Sequence, residues 1–335
     1  VRIKQAHRQL ENELSLCEKM LAVSGVSYDP KMLEEAEKAL LFNEFHDILP
    51  GSCVKKSEED GLRLMGYGRE IVNRYCTKAF IHLCEGQKEG KMGEVPVLVF
   101  NPHPYCTEQE IEVEFMLEDQ NWNMEVTTVK VRDENGNYVP AQNEKEDSMI
   151  HLDWRKRISF RASLKPMSMN RFDCELVRVP GAVRPIQDCC ENGKHFVFQN
   201  ERMEVLINKK TGLIDRFCVD GEELLNKDSG KILVYQDNED PWGMTVDGFY
   251  DRIGEFTAVS EEEANCFNGY PEQKLENVRL IENGDVRARV QVIMRQDASF
   301  AVITYTIPKK DTYVDIKIKM LSNDVNRMYK LSFDT

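Results

Sequence analysis

The chain has 335 residues, 41% hydrophobic and 30% charged, with a formal net charge of −14. That acidity argues against a nucleic-acid partner, which needs clustered Lys and Arg; the longest basic run, Arg155-Lys156-Arg157, is expected as a solvated strand or loop face. No apolar stretch approaches the roughly 18 residues of a membrane-spanning helix, and the length suggests two or three domains.

In chain order, apolar or small residues recur at Ile3, Ala6, Leu10, Leu14, Cys17 and Leu21, the stripe of an amphipathic helix. After Ser24-Gly25, Asp29-Pro30 reads as an N-cap with Pro at the first helical position. The second helix carries Leu33, Ala36 and Leu40 and runs toward Phe45, until Pro50-Gly51-Ser52 interrupts it. A third helix has Leu62, Met65, Val72, Cys76, Ala79 and Leu83 near one stripe; Gly61, Gly66 and Gly68 weaken its propensity, so packing must support it. The spacing predicts a three-helix bundle over residues 1–86.

Beyond a Gly, Lys, Glu and Gln linker, the period changes from 3.6 to 2. Val95 to Phe100 reads as a buried strand ending at Asn101-Pro102, and Ile111, Val113 and Phe115 alternate with glutamates. Glu134-Asn135-Gly136-Asn137 signals a hairpin turn, and Ile158 to Leu164 and Ser168 to Cys174 read as strands. These make a small β-sandwich over 94–178. A connector with Pro, Gly and Cys leads to a larger antiparallel β-sandwich over 193–335, with a hairpin turned at Asn208 to Gly212. Its later strands are Val286 to Met294, Ala301 to Ile307, Tyr313 to Met320 and Met328 to Phe333. The expected class is α+β. Starting inside a helix and stopping after a strand, the chain is expected to be cut at both ends.

The ten cysteines include no Cys-x-x-Cys pair; Cys189 and Cys190 are adjacent. Scattered thiols in a chain this long fit a reducing compartment, so a cytoplasmic location is expected. No nucleophile motif surrounds any of the six histidines, and no Gly-rich phosphate loop precedes a helix. His46-Asp47 stands out, because an imidazole and a carboxylate just ahead of a fixed turn can be aimed together into a cleft. Imidazole is a good zinc ligand and the carboxylate can accept sugar hydroxyl hydrogen bonds, but the doublet equally fits a helix-terminal His beside a solvated Asp. Asp237 to Trp242 mixes carboxylates with an aromatic ring, as sugar stacking would use or as an ordinary acidic loop would show. His7, His82, His103, His151 and His195 read as surface, loop or core residues, and Trp122 and Trp154 as packing residues.

The run Leu40-Leu41-Phe42-Asn43-Glu44-Phe45-His46-Asp47-Ile48-Leu49-Pro50-Gly51-Ser52 closely resembles the Leu-Leu-x-Asn-Gln-Phe-His-Asp-Ile-Leu-Pro-Gly-Ser run of glycoside hydrolase family 38, the class II α-mannosidases. Val99-Phe100-Asn101-Pro102, Phe198 to Ile214 and Asn283 to Ala288 are similar to later landmarks of that family and lend support. The one departure in the first run is Glu44, where the family usually has Gln.

The resemblance implies a family central domain at 1–86, followed by β-domains of which the second is a truncated, galactose-mutarotase-like supersandwich. It implies a fragment of a retaining, zinc-dependent α-mannosidase acting on terminal α-mannosides. His46 would be one zinc ligand and Asp47 a substrate contact. The nucleophile, the acid/base carboxylate and the other zinc ligands would lie in an N-terminal α/β domain preceding Val1, so no catalytic residue is expected in this chain and the fragment is expected to be inactive alone. Expected partners are an α-mannoside or mannose-containing oligosaccharide and that missing domain, with no nucleic acid and no membrane. The alternative from another class is a non-catalytic carbohydrate-binding or scaffolding β-sandwich module. A His-Asp metal phosphohydrolase ranks last, since the helical part offers only His7, His46 and His82.

Overall fold

The computed structural model describes residues 2–122, 125–146, 153–181, 190–239, 248–269 and 274–335. His151, Cys189 and Asp240 to Trp242 lie outside them. The chain is α+β, an N-terminal helical region followed by antiparallel sheets. It forms two units: Val1–Ile111 with Lys130–Val139 and Arg161–Val177, and Glu112–Val129 with Pro140–Phe160 and Arg178–Thr335. Among the described residues no helix is long and apolar enough to cross a membrane.

In the first unit, α1 (Arg2–Ser24), α2 (Pro30–Phe42) and α3 (Lys55–Cys84) bury their apolar stripes together. Asp29 accepts the Lys31 N–H at 3.0 Å to start α2, with Pro30 in the first turn. That helix ends at Phe42 rather than reaching Phe45, with Asn43 as its C-cap and Pro50 beyond it. Two of the three glycines of α3 mark close packing. A Cβ at Gly68 would sit 3.1 Å from Leu10 and 3.3 Å from Ala39, and one at Gly61 would sit 2.4 Å from Asn43 Oδ1. Phe100, from the strand Glu94–Asn101, packs on the helical core. That strand pairs antiparallel with Ser168–Glu175 in unbroken register. It is half-buried along most of its length rather than buried as expected. Asn101 is the buried residue, its amide donating to the carbonyls of Tyr105, Leu164 and Lys165, which explains the Asn-Pro landmark without invoking function.

In the second unit, Arg287–Gln296 pairs with Ser299–Pro308 over ten residues, flanked by Val278–Asn283 and Asp315–Leu321. Strict alternation puts Ala301, Ile303, Tyr305 and Ile307 on the core face, in one cluster with Val205, Ile207, Ile214, Ile232 and Val234. The predicted hairpin is present: Met203–Asn208 pairs with Ile214–Val219, and Gly212 sits at φ +69° where a Cβ would strike Val292 at 2.4 Å.

A charged cluster is buried beside that core. Arg287, 2% exposed, donates to Glu282 at 2.7 Å and to Glu112 at 2.6 Å, and Arg289 reaches Glu282 at 3.0 Å. The Gln142 side-chain oxygen accepts from the Val286 and Arg287 backbones at 2.8 and 2.9 Å. Burial disfavours the Glu112 charge, but Arg287 and Arg157 outweigh it and hold the carboxyl at about 2. Glu144 goes the other way, pushed up to about 7 by burial and by the charge of Glu282. The run Arg155-Lys156-Arg157 is not the solvated face expected of it. Lys156 is buried and paired with Asp153, while Arg155 and Arg157 pair with Glu114 and Glu112 across the strand surface.

Candidate functional site

The segment after α2 folds into consecutive turns. Ile48 N–H donates to Phe45 at 2.9 Å, Gly51 N–H to Ile48 at 3.0 Å, and Cys53 N–H to the Asp47 carbonyl at 2.9 Å. Gly51, at φ +90°, occupies the left-handed region that favours glycine after a proline.

Three anchors fix these turns from beneath. Asn43 is fully buried and its amide donates to the Ala39 carbonyl at 2.7 Å. Ile48 is buried in the helical core. Glu44 Oε1 meets Nε2 of His7, a buried residue of α1, at 3.1 Å.

What these anchors leave outside is His46, its side chain 77% exposed. Its ring lies against Phe45, centroids 4.2 Å apart. His46 Nε2 is 3.7 Å from Asp47 Oδ2, too long for a hydrogen bond, so the imidazole is not tied up by its neighbour. Asp47 Oδ1 is buried and accepts no hydrogen bond. Leu41, Phe42 and Phe45 around the turn are each more than half exposed. His46 is thus solvent-exposed while Asp47 is partly buried. The doublet lies beyond the helix, in a pinned turn with an apolar surround. An exposed imidazole and an under-satisfied carboxylate can take a metal ion and a hydroxyl donor. Among the described residues no three His, Cys, Asp or Glu side chains gather as a metal site.

The other sequence candidates do not join this turn. Within Asp237 to Trp242, Asp237 N–H donates to the Asn326 carbonyl at 3.0 Å and Asn238 N–H to Asp237 Oδ1 at 2.8 Å. Trp122 is 76% exposed rather than packed, and Trp154 is half-buried. His103 stacks on Tyr105 in its loop at 5.2 Å. Two histidines have carboxylate partners that no sequence pattern shows: His7 with Glu44, 37 residues away, and His195 with Asp215, 20 residues away.

Residues 1–80 match the family model of the alpha mannosidase middle domain. No curated protein matches the chain. Among solved structures, a protein in the glycosyl hydrolase family 38 from Enterococcus faecalis superposes with a TM-score of 0.70 at 15% identity, covering 99% of this chain and 44% of that one. An alpha-mannosidase from Enterococcus faecalis V583 superposes with a TM-score of 0.68 at 14% identity, covering 99% of this chain and 42% of that one. At such identities the likeness is one of fold, and the chain spans less than half the length of either structure.

Proposed function

We propose that this chain, whose residues 1–80 match the alpha mannosidase middle domain model and whose fold is that of glycoside hydrolase family 38 structures, is the middle and β-region part of a retaining, zinc-dependent α-mannosidase. In this reading residues 1–86 are the middle domain, and 94–178 and 193–335 are β-domains. The parent enzyme releases mannose from terminal α-mannosides or mannose-containing oligosaccharides. The observation that carries the reading is the pinned turn, which leaves an exposed imidazole at His46 beside the unpartnered Asp47 oxygen.

His46 supplies one ligand to the zinc, and Asp47 accepts a hydrogen bond from a mannose hydroxyl. When bound, the zinc supplies positive charge that holds and polarises sugar hydroxyls. About three protein ligands are needed for such a centre, so the rest come from another domain of the same polypeptide. The exposed apolar side chains of Leu41, Phe42 and Phe45 around His46 suit burial against that domain. We assign to it the carboxylate nucleophile, which forms the glycosyl bond with inversion, and the acid/base carboxyl group, which first protonates the leaving oxygen and then deprotonates water. His46 and Asp47 position the sugar and break no bond.

The test is aryl α-mannoside hydrolysis by the complete polypeptide and by this 335-residue chain. The complete polypeptide should hydrolyse it in a zinc-dependent manner and the 335-residue chain should not. Robust turnover by the shorter chain would overturn the reading. Sugar binding by the β region, with no hydrolysis by the complete polypeptide, would favour a carbohydrate-binding module instead.

A further inference from the structure

A second polar cleft lies far along the sequence from His46, within the second unit, and the mannosidase reading does not use it. It has a volume of about 680 Å³, and its lining includes Lys194, Lys209, Lys210 and Lys227 together with Asp215 and Glu261. Four lysines against two carboxylates make it locally cationic in a chain of net charge −14.

The lysines are brought together by backbone structure. In the turn before His195–Gln199, Asn192 Oδ1 accepts the N–H groups of Lys194 at 3.3 Å and His195 at 2.9 Å. In the turn after Met203–Asn208, Asn208 Oδ1 accepts those of Lys210 at 2.9 Å and Thr211 at 3.1 Å. Lys209 N–H then donates to the Lys194 carbonyl at 2.9 Å, joining the two turns side by side. Clustering like charges in this way is unfavourable unless a counter-charge is supplied.

The floor is equally ordered. His195 Nε2 meets Asp215 Oδ2 at 2.7 Å, and Asn208 donates to the same oxygen at 2.9 Å. His195 Nδ1 faces Asn192 Oδ1 at 3.2 Å. The ring is held between two oxygens, and as a neutral imidazole it donates its single N–H to one of them. Lys209 lies over the Phe196 ring at 4.8 Å, and Lys194, Lys210 and Lys227 are exposed.

We propose that this cleft binds a small phosphate-bearing anion, either free phosphate or a phosphate monoester. A dianion with several acceptor oxygens matches a set of separate ammonium donors better than a carboxylate does.

The experiment is a proton NMR titration of the 335-residue chain at low ionic strength, following the His195 ring C–H signals, with His82 and His103 as internal references. The titrants are inorganic phosphate, glycerol 3-phosphate and acetate. Phosphate should shift His195 saturably and acetate should not. Tighter binding of glycerol 3-phosphate would identify an ester ligand, and tighter binding of phosphate the free ion. Losing two charge-assisted contacts, K210Q/K227Q should weaken binding about tenfold or more. K317Q/K319Q, which removes the same charge from an exposed strand face, should leave it unchanged. Absence of a saturable shift in the unmutated chain would overturn the proposal whether or not the variants fold, as would equal weakening by the two double variants.

Discussion

His7 Nε2 lies 3.1 Å from Glu44 Oε1, linking the first helix to the residue two places before His46. This contact is compatible with the one departure from the family run. His7 is buried and needs an acceptor, and either a glutamate or a glutamine oxygen can serve. Glu44, with its side chain 46% exposed, keeps part of its charge in water.

The two partners should therefore respond unequally to substitution. His7→Ala removes a buried side chain and should lower the unfolding free energy by about 1–3 kcal/mol. Glu44→Gln keeps an acceptor and should cost less than about 1 kcal/mol. Urea denaturation followed by far-ultraviolet circular dichroism measures both. A larger loss for Glu44→Gln would mean that charge, not the hydrogen bond, holds the turn.

Two glycines of α3 should give opposite results. Gly66 is exposed with open space around it, so Gly66→Ala should stabilise by up to about 1 kcal/mol through helix propensity. At Gly61 the new Cβ would fall 2.4 Å from Asn43 Oδ1, and Asn43 could yield only by giving up its bond to Ala39. Gly61→Ala should lower the melting temperature, and Gly66→Ala should raise it. Similar gains from both would show that α3 does not press on the base of the turn.

The buried charges of the second unit predict opposing pH dependences. The Glu144 carboxyl is raised to about 7 from an ordinary 4.5, so its contribution is fully present below 4.5 and is lost as pH rises through 7. Glu112 is lowered to about 2, so its contribution is present above 4.5 and is lost as pH falls through 2. Between pH 5 and 8 only the Glu144 contribution changes, on the order of 1 kcal/mol after allowing for partial exposure. Glu144→Gln should flatten the decline in urea midpoint across that interval. Glu112→Gln should lower stability at pH 7, with Arg287 left short of a partner. An unchanged slope in Glu144→Gln would contradict the assignment.

Periodic features were legible in the sequence because each rests on local geometry. The stripe from Ile3 to Leu21, the Asp29-Pro30 cap and the Asn208 to Gly212 hairpin all reappear in the structure. The order within Phe45-His46-Asp47-Ile48 pointed to the turn, but not to which side chain faces out; Ile48 sinks into the core and leaves His46 exposed. Long-range partners carry no local signal. Lys156 looked solvated because nothing nearby says that its strand face is covered, and His7 and His195 looked solitary because the strands and helices that bring Glu44 and Asp215 to them are set by the whole fold. The second cleft was missed for the same reason: Lys194 and Lys209 become neighbours only through a backbone hydrogen bond between turns.

The central claim is that His46 is a metal ligand, and zinc stoichiometry tests it most directly. The complete polypeptide should copurify with about one zinc per chain, and His46→Ala should lose it while keeping its circular dichroism spectrum. A folded His46→Ala protein that retains the same zinc at the same affinity would contradict the claim.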